Sequence, residues 1–102
     1  MFSKEQIIEE IAKGDDNKSH TLLLDLNGDF RAIPTDNCDG YEYIGSIGGI
    51  DSGDGYLGEE ASKYSKWIND CYKGAEAVWS RYKKTGKKYK LSGDEPMSFI
   101  IK

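Results

Sequence analysis

The apolar positions of the opening stretch, MFSKEQIIEEIAKG, recur as Ile7, Ile8, Ile11 and Ala12, on one side of a helical wheel. Ser3 stands where an N-cap belongs, Gln6 follows three residues on to complete a capping box, and Phe2 is placed to staple onto Ile7. Gly14 follows Lys13 where a left-handed C-terminal residue would sit, so the spacing predicts a short helix over 4–13 with an acidic outer face. After a polar loop from Asp15 to Ser19 the period changes. HTLLLDLNGDFRAIP reads as a β-hairpin turning at Asn27-Gly28. A two-residue turn sets Leu26 opposite Asp29 and mixes the two faces. Setting Leu26 against Phe30 instead aligns Leu22, Leu24, Leu26, Phe30 and Ala32 on one side, and pairs Asp25 with Arg31 and Leu23 with Ile33 on the other. A buried face specifies register through its apolar pattern, which favours this second arrangement with a bulge at the turn. Leu23 and Ile33 are then expected to form a small apolar spot on the outer face.

Pro34 closes that strand. TDNCDG supplies a turn, and YEYIGSI alternates as a third strand with Tyr41, Tyr43 and Ile47 on one face. A glycine-rich loop follows, six glycines falling between Gly45 and Gly58. From Glu59 the pattern is helical again: Ala61, Tyr64, Trp67, Ile68, Cys71, Tyr72, Ala75, Val78, Trp79 and Tyr82 recur at three- and four-residue spacing. Glu59 and Glu60 suit the first turn and Lys83 and Lys84 the last, by the helix dipole, with Gly86 as the stop and Gly74 as the place for a kink or break. Met97 to Ile101 reads as a short final strand. The pattern predicts an α+β fold: a short N-terminal helix, an antiparallel sheet of three to four strands, one long amphipathic helix packed on it, and a short C-terminal strand. Residues 1–102 are read as a single domain, with no repeats or low-complexity tracts.

Charge changes this picture more than composition does. Net charge is −4, yet residues 1–62 hold four Lys/Arg against fourteen Asp/Glu, a balance of −10, whereas residues 63–90 hold nine against two, a balance of +7. Two surfaces of opposite sign are expected, each able to steer a partner, unless the halves neutralise each other across the fold. Neither an apolar leader run nor a membrane-length stretch is visible, so the expected location is the cytoplasm, away from membranes. Cys38 and Cys71 stand far apart outside any paired motif and are expected to be free thiols there, with a disulfide between them the alternative.

The glycine loop, GSIGGIDSGDGYLGEE, is the first place to look for chemistry. It precedes a helix, but it lacks a Lys, fits no phosphate-loop pattern and would confront an anion with four carboxylates. Asp51, Asp54, Glu59 and Glu60 are hard oxygen donors. Aligning Gly55 with the glycine of a calcium loop, however, puts Ile50 and Ala61 where carboxylates must be. The sequence thus assigns the loop no metal and no cofactor. A long glycine-rich loop in a small domain is costly to order and often meets a partner, so Asp51, Asp54, Tyr56, Glu59 and Glu60 become the candidate protein-binding residues.

Catalytic constellations are missing from the sequence. His20 is the only histidine, no triad motif surrounds it, and zinc would require His20, Cys38 and Cys71 to converge without ligand spacing. The second candidate surface is RYKKTGKKYK, where Arg81, Lys83, Lys84, Lys87, Lys88 and Tyr89, with Tyr82 and Lys90, are expected at the end of the long helix. Lysines neutralise phosphates and tyrosines stack on bases. The leading expectation is a small acidic non-enzymatic module that binds a protein with a basic surface. One form would be an inhibitor or immunity-type protein, such as a phage-encoded anti-defence protein, that blocks a nucleic-acid-binding enzyme. The alternative is a nucleic-acid-binding protein using Arg81–Lys90.

Overall fold

The Ser3 hydroxyl accepts from the Gln6 N–H at 3.2 Å and so caps α1 (Lys4–Ala12). The computed structural model describes residues 2–14, 17–37, 40–50, 63–91 and 98–101, the last four by their backbone. Gln6 does not complete the capping box. Its side-chain amide crosses to the hairpin instead, donating to Asp29 Oδ1 at 3.2 Å and accepting from the Phe30 N–H at 2.9 Å. Ile7 and Ile11 are fully buried and Ile8 partly so, while Ala12 is exposed.

The hairpin pairs β1 (His20–Asp25) with β2 (Phe30–Pro34). Leu24 faces Phe30, Leu23 faces Arg31 and Leu22 faces Ala32, so the register is displaced by two residues from the expected one. The cause is a three-residue turn. The Gly28 N–H donates to the Asp25 carbonyl at 3.1 Å with Gly28 at φ 79°, and Asp25 Oδ1 accepts from the N–H groups of Asn27 and Asp29. A glycine in the left-handed region closes such a turn with a bulge. A displacement of two leaves every side chain on its expected face.

In β3 (Glu42–Ile50) the departure is larger. The strand runs past Ile47 through Gly48 and Gly49, which the sequence places in the loop. Register shifts opposite Leu22/Leu23 and Leu24/Asp25 put extra residues into β3. Each extra residue reverses the alternation. Ile44, Ile47 and Ile50 therefore join the helix-side core, while Tyr43 lies on the opposite face. Tyr43 and Ile47 do not share a face as expected.

α2 (Ser65–Thr85) is continuous through Gly74 and is neither split nor interrupted there. It begins later than the sequence suggests. Its first turn contains no acidic residue, and Glu59 and Glu60 lie outside the described residues, as does the loop over 51–62. Gly86, at φ 65°, ends the helix by donating to the Tyr82 carbonyl at 2.8 Å, with Lys83 and Lys84 in the last turn. The chain then enters β4 (Lys88–Leu91), a strand absent from the sequence reading, and later β5 (Ser98–Ile101).

The sheet order is β2-β1-β3-β4-β5, with every neighbouring pair antiparallel. Both helices cover one face. Ile7, Ile11, Ile68, Cys71 and Ala75 meet Leu22, Leu24, Phe30, Ile44 and Ile50 there. The other face carries a second cluster in which Leu23, Tyr43 and Leu91 are buried and Ile33, Tyr41 and Tyr89 flank them. Leu23 and Ile33 thus belong to a small core, not to an exposed spot. β4, with Tyr89 and Leu91, is what completes it.

Candidate binding surfaces

The two flanks of the central strands are treated differently, and side chains account for it. β2 is a sheet edge. Its outward N–H groups are met by α1: Phe30 donates to Gln6 Oε1 at 2.9 Å and Ala32 donates to Glu10 Oε1 at 3.4 Å. Residues four apart on a helix rise about 6 Å, close to the advance of about 6.6 Å over two strand residues, so one helix face can serve alternate donors of one strand. Glu10 is 9% exposed. Its other oxygen pairs with Lys13 Nζ at 3.0 Å and Arg31 Nη1 at 3.7 Å, while Arg31 Nε reaches Asp25 Oδ2 at 3.3 Å. Burial alone would lower the Arg31 pKa, and Glu10 and Asp25 together hold it raised. Burial, then the Asp25 carboxylate, raises the Tyr41 phenol in the same group. This edge is closed to a further strand.

On its other side, among the described residues, β3 is covered by a strand only at its beginning. β4 pairs with it at Glu42 and Tyr43, and beyond Tyr43 no strand of the described residues continues the ladder. Ser46, Gly48 and Gly49 are exposed. Arg81, from the last turns of α2, reaches over to donate through Nη2 to the Ile44 carbonyl, and its guanidinium carbon lies 5.0 Å from the centre of the Tyr89 ring. Its Nε is buried and meets no acceptor. Gly45 makes this approach possible, because a methyl there would overlap Val78 and stand 3.2 Å from Arg81 Nη2. Tyr43, Gly45, Ser46, Arg81 and Tyr89 line a hollow of about 250 Å³ at the point where β4 leaves off.

The basic candidates divide into two groups. Lys83, Lys84, Lys87 and Lys88 are exposed, and no carboxylate of the described residues pairs with them. Lys83 Nζ lies 5.7 Å from the Trp79 ring centre. Lys88 and Lys90 alternate with Tyr89 and Leu91 along β4, so the segment is not all helical as the sequence suggests. Arg81 and Tyr89 differ from the four lysines. Both are half-buried, Arg81 tied to β3 and Tyr89 packed 5.7 Å from the Tyr43 ring. Each therefore has a packing contact within the fold.

The acidic candidates Asp51, Asp54, Tyr56, Glu59 and Glu60, and also Cys38, lie outside the described residues. His20 is 2% exposed, its Nδ1 3.0 Å from the Lys18 carbonyl. Cys71 faces the core as a free thiol, and burial, then Asp70, push its pKa up to about 11. Among the described residues no His, Cys, Asp and Glu group is arranged to hold a metal, and no helix is long and apolar enough to cross a membrane. Sequence reasoning missed three features: Gln6 and Glu10 as edge caps, and the open flank of β3. Glu10 had a signal, an acid beside Ile7 and Ile11. The flank had only its glycines.

Compared with protein-family models, curated proteins and solved structures, the chain matches none.

Proposed function

We propose that this chain is a small non-enzymatic binding module that acts by protein–protein contact, in the form of an inhibitor or immunity-type protein directed at a nucleic-acid-binding enzyme. One observation supports the reading. The ion pairs Lys13–Glu10, Lys18–Asp36, Arg31–Glu10, Arg31–Asp25 and Lys66–Asp70 each join residues of the same half of the chain. None of these pairs among the described residues joins the acidic first part to the basic second part, which supports the reading of two surfaces that each steer a partner. The acidic surface, with Asp51, Asp54, Tyr56, Glu59 and Glu60 as its proposed contacts, is the one directed at a basic protein.

A second reading, nucleic-acid binding, is favoured by the four exposed lysines around Gly86, which pair with no carboxylate among the described residues. Affinity capture from a lysate of the source cell, with and without nuclease, separates the two. A defined protein that is retained after nuclease, and lost when Asp51, Asp54, Glu59 and Glu60 become Lys, supports the first reading. Capture that vanishes with nuclease, and with Lys83, Lys84, Lys87 and Lys88 changed to Glu, replaces it with the second.

A further inference from the structure

From the open flank of β3 we infer a second interaction surface: a docking place for the C-terminal end of an extended acidic peptide, which joins the sheet alongside residues 45–50. The inference does not rest on the acidic contacts proposed above.

The backbone supplies the first half of the argument. Nine residues long, β3 is paired with β4 only at Glu42 and Tyr43. An exposed strand flank offers unpaired N–H and C=O groups, and folded chains normally block it. This chain does block its other flank, with Gln6 and Glu10 on β2. Along 45–50 no such device appears among the described residues, and Ser46, Gly48 and Gly49 are exposed. Glycine in a strand is the residue that lets another backbone approach closely.

Charge selects the occupant and its direction. β4 runs antiparallel to β3 and begins at Lys88. A strand added in line with β4, antiparallel to β3 along 50 to 45, ends where β4 starts. Its C-terminus therefore arrives at the hollow lined by Tyr43, Gly45, Ser46, Arg81 and Tyr89, beside the exposed Lys87 and Lys88. Among the described residues Arg81 makes no ion pair. One Nη donates to Ile44, the ring of Tyr89 lies against its guanidinium, and Nε lacks an acceptor. The Arg81 guanidinium and Ser46 lining the hollow, with Lys87 and Lys88 exposed where β4 begins, are complementary to a terminal carboxylate and an acidic side chain. Main-chain pairing then provides affinity and the cationic end sets the polarity, as in strand addition generally.

The test uses the full chain and a display library of short random peptides with free C-termini. Selected peptides are expected to end in Asp or Glu, and amidating the terminus is expected to weaken them about tenfold, the effect of one charged hydrogen bond lost. Bound peptide should slow amide exchange across 45–50. The double variant Lys87→Glu/Lys88→Glu, both positions exposed, should weaken binding without changing the unfolding midpoint. Failure to enrich any peptide overturns the inference. So does enrichment indifferent to amidation, or protection confined to another part of the molecule.

Discussion

The approach of α2 to β3 depends on a missing methyl, and this can be tested by a double-mutant cycle. Gly45 does not have a positive φ, so its requirement is space alone. A Cβ there would overlap one methyl of Val78 and lie 3.0 Å from the other. Forcing a methylene into a packed contact costs about 1–3 kcal/mol, against about 0.4–1 kcal/mol returned by restricting the unfolded chain, so Gly45→Ala should destabilise by about 1–2 kcal/mol. Val78→Ala removes two methyl groups worth about 0.8 kcal/mol each at full burial, and Val78 is only partly buried, so about 1 kcal/mol is expected. If the two effects were independent they would sum to about 2–3 kcal/mol. Overlap at one place predicts otherwise. The methyl added by Gly45→Ala would occupy the space that the Val78 methyls vacate, and the double variant should lose only about 0.5–1 kcal/mol, a coupling of about 1–2 kcal/mol. Urea unfolding followed by the fluorescence of Trp67 and Trp79 measures all four corners of the cycle, and the singles should melt about 4–10 °C lower. Additivity within about 0.5 kcal/mol would refute the reasoning, because it would mean that α2 and β3 are not in contact at Gly45.

Gly28 combines a positive φ with burial beneath Trp79, whose Cζ3 would stand 2.8 Å from an added Cβ. Gly28→Ala should therefore cost about 2–4 kcal/mol and shift Trp79 emission, and a loss under about 0.5 kcal/mol would contradict the turn geometry. Glu10→Ala removes both the Ala32 acceptor and the Lys13/Arg31 pair and should destabilise by about 1–2 kcal/mol. Glu10→Gln keeps the acceptor and should lose about half as much, and raising the salt concentration should narrow the gap from wild type. The Cys71 thiol, raised from 9.0 to about 11 by burial and then by Asp70, stays protonated in the folded chain after the unfolded chain has ionised. Folding stability should accordingly be intact below pH 9.0 and fall as pH climbs to about 11. That loss has an upper bound of about 3 kcal/mol, absent in Cys71→Ala, and alkylation at pH 8 should be far slower than for an unfolded control.

How much of this was legible beforehand differs by element. α1, its Ser3 cap, the Gly86 stop and the two faces of the hairpin could be read directly, because capping and amphipathic periodicity are properties of neighbouring residues. β4 could not. RYKKTGKKYK continues the lysines of the helix end, and the left-handed Gly86 with the pairing of β4 to β3 and β5 turns its second half into a strand. The bulges of β3 were equally hidden, since an extra residue is defined by its partner strand and not by its own sequence.

The candidate surfaces divide in the same way. Charge segregation is a sum over the chain and is complete in the sequence, as is the supply of lysines around Gly86. Which of those charges are free depended on long-range contacts. Arg81 is tied to β3 where α2 approaches Gly45 and Tyr89 packs on Tyr43 across β4 and β3, whereas Lys83, Lys84, Lys87 and Lys88 are exposed. The two strand flanks lie further still from local sequence. Gln6 meets Phe30 and Glu10 meets Ala32 across more than twenty positions of chain, because helix rise matches strand advance only once α1 is docked. Among the described residues no strand lies on β3 beyond Tyr43, because β4 is short and placed by the end of a helix. Local patterns encode periods, caps and charge, whereas which edges are closed is decided when the elements meet.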